Sequence, residues 1–184
     1  IKEQGVDFVP TGTFSLYDHV LDMSNTLGII PEAYAKSGLS QLDTYFAMAR
    51  GHQKGGVDLP ATEMKKWFDS NYHYLVPEFS EKSEFKLNDN KPVDDFIEAK
   101  EAGYNARPVV LGPLTLLWLG KTSKDAQDPN FNRYSLLPKL AQTYVQLFEK
   151  LAAAGAPWVQ LDETILVVDA ARQLSNEFKQ TYEL

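Results

Sequence analysis

The sequence predicts an α/β protein in which parallel strands alternate with crossover helices, arranged as part of a (β/α)8 barrel with about four strands. Buried apolar strands alternate with long amphipathic helices along the chain. Neither G-x-G-x-x-G nor G-x-x-x-x-G-K-[ST] occurs, so the alternative, an open doubly wound sheet, lacks its usual phosphate-binding loop. The 184 residues fall short of the roughly 250 of a closed barrel.

The first half of the chain contains two predicted strands and two predicted helices. Residues 5–10 alternate apolar and polar side chains and predict a short strand. Residues 17–23 and 42–49 carry apolar side chains at i, i+3 and i+4 spacing, which predicts helices. Residues 52–60 are expected to form a glycine-containing loop, and the aromatic-rich residues 63–77 a strand that enters a loop.

The second half predicts the strand–helix alternation more clearly. Residues 92–102 predict a helix, and residues 107–113 a buried strand of the parallel kind, since their apolar run is continuous. Residues 135–154 form the clearest helical pattern, with an unbroken apolar stripe. Residues 158–161 predict the next strand and residues 170–184 a final helix.

Composition and charge exclude several classes of protein. The chain has 18 basic and 25 acidic residues, a net charge of −7 and a pI near 5.0, which argues against nucleic-acid and anionic-membrane partners. It has no cysteine, so disulfides and thiolate chemistry are excluded, and a cytoplasmic location is expected. The opening residues 1–4 are expected to be an internal point of a longer chain, because they lack an initiator methionine and a signal pattern.

The chain shows no motif for metal binding or nucleophilic catalysis. His19, His52 and His73 are far apart in the sequence, and none belongs to an H-E-x-x-H motif. No serine lies in a G-x-S-x-G turn. The sequence therefore predicts no catalytic residue and no metal ligand in this chain.

Charged residues that follow predicted strands are weaker candidates. Asp162 and Glu163 come directly after a strand, where barrel enzymes place bases and binding groups, but either carboxylate could instead cap a helix or pair with a lysine. Lys121 and Lys124 could contact a phosphate or carboxylate, or lie solvated in a loop.

The segment 63–74 interleaves polar side chains with aromatic ones. Lys66 could hold an anion, with Asn71 and His73 donating hydrogen bonds and the aromatic rings forming a wall. The alternative is that the aromatic rings belong to the core and the lysines to the surface. The residue chemistry alone leaves both interpretations open.

Several of these segments together resemble one known family. The run is Lys66-Trp67-Phe68-Asp69-Ser70-Asn71-Tyr72-His73-Tyr74, preceded by residues 61–64 and followed, in order, by residues 76–78, 107–113, 117–121 and 159–163. This order of motifs resembles the N-terminal half of cobalamin-independent methionine synthase over essentially the whole chain.

The resemblance implies a methyltransferase that moves a methyl group from 5-methyltetrahydrofolate polyglutamate to homocysteine and gives methionine. It implies two (β/α)8 barrels, of which the C-terminal one holds zinc and the N-terminal one, represented by residues 1–184, helps bind the folate tail. Lys66 matches the lysine that contacts the polyglutamate, and Asn71 and His73 are assigned to the same site. The zinc belongs to the other barrel of the parent polypeptide, so none is expected to bind this chain.

Two departures from the family limit what is expected of the isolated chain. Thr164 stands where the family usually has proline after Asp162 and Glu163. The family's first strand segment and its zinc barrel are expected to lie outside this sequence. The isolated chain is therefore expected to be inactive and at most to bind the folate tail.

Two other functions stay open on the sequence alone. The first is a non-catalytic interaction fragment that binds no folate. The second is a related barrel enzyme that decarboxylates tetrapyrrole acids, which is disfavoured because it needs clustered arginines. The four arginines here are scattered, at Arg50, Arg107, Arg133 and Arg172.

Overall fold

The computed structural model describes residues 4–183, and its centre is a parallel sheet of three strands. The strands are β1 (Val9–Thr11), β7 (Ala106–Leu111) and β9 (Gln160–Asp162), in the order β1-β7-β9. The register places Val9 opposite Ala106 and Val109 opposite Gln160. Strand β7 lies in the middle because its apolar run can be covered on both faces.

Seven α-helices and six short strands surround this sheet in the described part of the chain. The helices are α1 (His19–Thr26), α2 (Glu32–Ala35), α3 (Gln41–Arg50), α4 (Lys91–Glu101), α5 (Pro113–Leu119), α6 (Leu137–Ala153) and α7 (Ser175–Tyr182). The short strands are β2 (His52–Lys54), β3 (Val57–Leu59), β4 (Met64–Lys66), β5 (His73–Leu75), β6 (Glu78–Phe79) and β8 (Lys121–Thr122). Between residues 5 and 183, 3₁₀ helices lie at Arg133–Leu136, Thr164–Val167 and Asp169–Leu174.

The main core lies between the sheet and helices α5 and α6. Leu140, Leu147 and Leu151 on one face of α6 are fully buried, as are Leu116 and Leu117 of α5. Each buried leucine contributes roughly 1.5–3 kcal/mol of transfer free energy. The apolar stripe predicted for residues 135–154 is therefore the face that joins α6 to the sheet.

The structure confirms the α/β class and most of the predicted elements. The four helices predicted at residues 17–23, 42–49, 92–102 and 135–154 correspond to α1, α3, α4 and α6, and the strands predicted at 107–113 and 158–161 correspond to β7 and β9. The last predicted helix begins as a 3₁₀ helix and becomes α7 at Ser175, while Leu184 lies outside the described residues. The prediction about the opening residues includes residues 1–3, which also lie outside that part of the chain.

Three predictions about strands were wrong. The first strand covers residues 9–11 rather than 5–10. Residues 52–60 form an antiparallel hairpin of β2 and β3, because Gly55 and Gly56 both have positive φ angles, as a two-residue hairpin turn requires. Residues 63–77 form another antiparallel hairpin, β4–β5, outside the parallel sheet, so that sheet has three strands rather than about four; β6 and β8 form a separate parallel pair.

Within residues 4–183, no helix is both long enough and apolar enough to span a membrane.

Candidate functional site

A cleft of about 680 Å³ opens at the carboxyl end of the parallel sheet. Gly12 after β1, Leu111 at the end of β7 and Asp162 at the end of β9 all line it. The carboxyl ends of parallel strands meet at one edge of a sheet, which is the usual place of ligand sites in α/β folds. The cleft is therefore the first candidate site.

One wall of the cleft is aromatic and joins α1 to the hairpin β4–β5. His19 lies 4.5 Å from Trp67 and 5.4 Å from Tyr72, measured between ring centroids. Burial lowers the pKa of His19, although the nearby carboxylates of Asp18, Asp22 and Asp162 oppose that shift. The imidazole is therefore held mainly in its neutral form at physiological pH.

Another part of the cleft lining is acidic. Tyr45 donates a hydrogen bond of 2.6 Å to Asp22, and Lys91 lies 2.6 Å from Asp95 and 3.9 Å from Asp22. Burial raises the pKa of Asp22, partly offset by the hydrogen bond from Tyr45. Asp162 also lines the cleft, so three carboxylates face one lysine there.

Asp162 and Glu163 have different surroundings. Asp162 faces the cleft and accepts a hydrogen bond of 2.7 Å from Gln160. Glu163 accepts hydrogen bonds from the backbone N–H groups of Leu114 and Thr115, at 3.0 and 2.7 Å, and from the Tyr182 hydroxyl at 2.6 Å. Glu163 thus caps the amino end of α5, as the structural alternative in the sequence analysis allowed.

The turn of the β4–β5 hairpin is strained. Phe68 has a φ angle of 49°, which costs a bulky residue about 1–3 kcal/mol. Its ring stacks on Trp118 with a centroid distance of 5.2 Å, and Ser70 Oγ donates a 2.6 Å hydrogen bond to the Trp67 carbonyl. These contacts offset the strain and define the shape of the turn.

The predicted anion site, Lys66, Asn71 and His73, lies on the exposed side of this hairpin rather than in the cleft. Lys66 and His73 are directly opposite each other in the β4–β5 register, and the His73 ring nitrogen Nδ1 lies 3.0 Å from the Asn71 carbonyl oxygen. The hairpin therefore brings these three residues together. Tyr74 is buried in the core while Lys66 is at the surface, as the alternative interpretation of the segment 63–74 stated, and the anion site itself stays a prediction.

The other two lysine candidates, Lys121 and Lys124, have no contacts that indicate an anion site. Lys121 contacts Glu63 at 2.6 Å and Glu78 at 3.1 Å, and the hydrogen bond with Glu63 raises its pKa. Its charge is therefore already neutralised by two carboxylates. Lys124 lies exposed in the loop after β8.

The described residues contain no set of ligands that fits zinc, which the resemblance assigns to another barrel. The sequence has no cysteine, and within residues 4–183 no three histidine, aspartate or glutamate side chains are close enough together to hold a metal ion. No step of the chemistry is therefore assigned to a metal held by the described residues.

Sequence reasoning missed Asp18 and Tyr72, which connect the hairpin to α1, and Tyr45, which donates a hydrogen bond to Asp22. Of these residues, only Asp18 is indicated in the sequence, because it precedes a predicted helix as an N-cap residue does. Nothing in the sequence indicates that Tyr72, 54 positions later, contacts it.

Comparison with known proteins supplies independent information. Residues 1–184 match the family described as "Cobalamin-independent synthase, N-terminal domain". The chain is 49% identical, over 98% of its length, to the 5-methyltetrahydropteroyltriglutamate–homocysteine methyltransferase of Saccharomyces cerevisiae, and 48% identical, over 99%, to the protein of the same name in Chelativorans sp.. It is 50% identical, over 99%, to a Schizosaccharomyces pombe protein named as a probable methyltransferase of this kind. The chain spans 24% of the length of each of these relatives.

Proposed function

The chain belongs to the cobalamin-independent synthase family, as its N-terminal domain, and we propose that it is part of a methionine-forming methyltransferase. The methyl group moves from 5-methyltetrahydrofolate polyglutamate to homocysteine. The names of the relatives support this proposal, since they state a pteroyltriglutamate donor and a homocysteine acceptor. Because the chain corresponds to a quarter of those relatives, the whole reaction is assigned to a longer polypeptide.

The role we assign to this chain is to bind the polyglutamate tail with Lys66, Asn71 and His73. The observation that carries this assignment is the position of Lys66. It lies exposed on the hairpin with no carboxylate paired to it among the described residues, whereas the neighbouring Lys65 contacts Glu63 at 3.4 Å. An unpaired lysine beside an amide and an imidazole suits a chain of carboxylates. Each exposed contact contributes only about 0–1 kcal/mol, so the tail needs several of them.

The finer architecture is also part of the proposal. The three parallel strands, the helices between them and the cleft at their carboxyl ends support one part of a (β/α)8 barrel. The family resemblance further assigns the zinc to a second barrel of the parent polypeptide and the reaction to the cytoplasm.

Calorimetric titration with pteroyltriglutamate tests the tail site directly. We expect Lys66→Ala to weaken binding by about three- to fivefold, the factor that one exposed ion pair allows. Lys124→Ala is the matched control, since it removes an exposed lysine outside the hairpin. In the full-length parent, Lys66→Ala should raise the KM for the folate and change kcat less.

The second candidate, a non-catalytic interaction fragment, makes a different prediction. It would unfold in one cooperative transition and show no response to pteroyltriglutamate. If the Lys66→Ala variant and the unaltered chain bind pteroyltriglutamate with equal affinity, Lys66 does not belong to the tail site.

A further inference from the structure

One buried carboxylate connects the hairpin β4–β5 to helix α1. The Asp18 side chain is only 1% exposed. Its Oδ2 accepts hydrogen bonds of 2.9 Å from the N–H groups of Leu21 and Leu75, and its Oδ1 accepts one of 2.8 Å from the Tyr72 hydroxyl. Asp18 is thus the N-cap of α1 and an anchor of the hairpin at the same time.

The hydrogen bonds around Tyr72 have a defined direction. The Tyr72 hydroxyl has a single proton, and it donates this proton to Asp18 Oδ1. The His19 ring nitrogen Nδ1, 3.1 Å from the same oxygen, must then be the donor of its own contact. This arrangement requires a neutral His19 to be protonated on Nδ1. Burial and the charge of Asp18 both raise the pKa of Tyr72, so the hydroxyl keeps its proton.

The far side of the hairpin turn is held by different contacts. Phe68, in its strained conformation, stacks on Trp118, and the Tyr74 hydroxyl donates a 2.9 Å hydrogen bond to the Leu119 carbonyl. Exposed Asn71 lies between these contacts and Tyr72. The turn is therefore anchored on two sides, and strain of this kind persists where the surroundings over-determine the backbone.

We propose that Asp18 is a positioning residue that, through the Tyr72 hydroxyl, holds the hairpin turn in the orientation in which Lys66, Asn71 and His73 meet a polyanionic tail together. This inference rests on the proposed function. Without the Tyr72–Asp18 bond the strands of the hairpin still pair, but the turn loses one of its two anchors. Weak exposed contacts act together only when they are held in the right relative positions. Loss of the anchor should therefore reduce the affinity for a long tail.

Tyr72→Phe tests the proposal with the smallest change, because it removes only the hydroxyl. Tyr104→Phe is the matched control, since its hydroxyl has no described hydrogen-bond partner and its side chain is 40% exposed. The first readout is amide hydrogen exchange of residues 67–73, which we expect to become about fivefold faster in Tyr72→Phe and unchanged in Tyr104→Phe. The second readout is the ¹⁵N NMR signal of His19, which should shift away from Nδ1 protonation.

The third readout separates positioning from general stability. It is the ratio of the dissociation constants of pteroylmonoglutamate and pteroyltriglutamate, which measures the contribution of the tail. We expect this ratio to fall about fivefold in Tyr72→Phe while affinity for the monoglutamate stays the same. Asp18→Asn should lower the ratio as well, provided that it folds.

Each outcome identifies which statement fails. Wild-type exchange rates and a wild-type ratio in Tyr72→Phe overturn the positioning role, even where Lys66→Ala weakens binding. If Lys66→Ala leaves the ratio unchanged, the tail site itself is wrong. The exchange rates and the His19 signal then decide whether Asp18 orients the hairpin.

Discussion

The outer side of the hairpin β4–β5 and the cleft behind it share a wall but differ in charge. The outer side presents Lys66 and His73 to solvent. Among the described residues that line the cleft, three supply carboxylates, Asp22, Asp95 and Asp162, and Lys91 supplies one cation. The proposed position of a polyanionic tail on the outside of the hairpin agrees with this difference, because carboxylates repel a tail of like charge and a lysine attracts it.

The two regions also differ in how they are built. The outer side depends on the local register of two short strands and on one strained turn. The cleft depends on three strand ends that are far apart in the sequence. Changes in one region should therefore affect the other only through the residues at their border, His19 and Tyr72.

The largest effect is expected from Glu163→Gln, which alters the support of the cleft. The N–H groups of Leu114 and Thr115 now donate hydrogen bonds to Glu163. The amide nitrogen of glutamine is itself a donor, so it would face one of these N–H groups and could not accept its hydrogen bond. We expect the free energy of unfolding to fall by about 2 kcal/mol, measured by urea denaturation. Glu149→Gln, on the exposed side of α6, is the control. If Glu163→Gln also weakened the binding of pteroyltriglutamate, the cleft and the outer side of the hairpin would not be independent.

A smaller effect is expected at the border, from the titration of His19. Because its pKa is lowered in the folded state, the unfolded chain takes up a proton first as the pH falls below about 6.5. The neutral His19 imidazole therefore contributes fully to the stability of the folded chain above pH 6.5. This contribution is lost as the pH decreases from 6.5 through the lower pKa of His19 in the folded state. The free energy of unfolding of His19→Gln should therefore fall less between pH 7 and pH 5 than that of the unaltered chain. His52→Gln serves as the control, and parallel pH profiles for His19→Gln and the unaltered chain would contradict the assignment.

The smallest effect is expected from Asp162→Asn, which removes one negative charge from the cleft. Repulsion of the tail should weaken slightly, so pteroyltriglutamate should bind up to about threefold more tightly at low salt and equally well at high salt. Asp125→Asn, in an exposed loop, shows the effect of net charge alone. A gain in affinity well above threefold that persists at high salt would place the tail in the cleft beside Asp162 and reverse the comparison.

The elements predicted most accurately are those with long, uniform patterns. Helix α6 and strand β7 were placed from their apolar side chains, because burial on one stripe or on both faces leaves a periodic record in the sequence. The hairpin β2–β3 was missed although Gly55 and Gly56 marked its turn, because its strands are only three residues long and largely exposed. In the hairpin β4–β5 each strand is only three residues long and most of the aromatic side chains lie in the turn, so the sequence shows no strand alternation.

The sequence by itself determined the α/β class and the family, and it is also the source of the proposed tail residues, since these depend on order and composition along the chain. Tertiary structure alone decided that Asp18, 54 positions before Tyr72, anchors the hairpin, and that Glu163 caps a helix while its neighbour Asp162 faces a cleft. The physical reason is that hydrogen bonds and charges act over a few ångströms in space. Which residues come that close depends on how the helices and strands pack, and the spacing of residues along the chain does not record it.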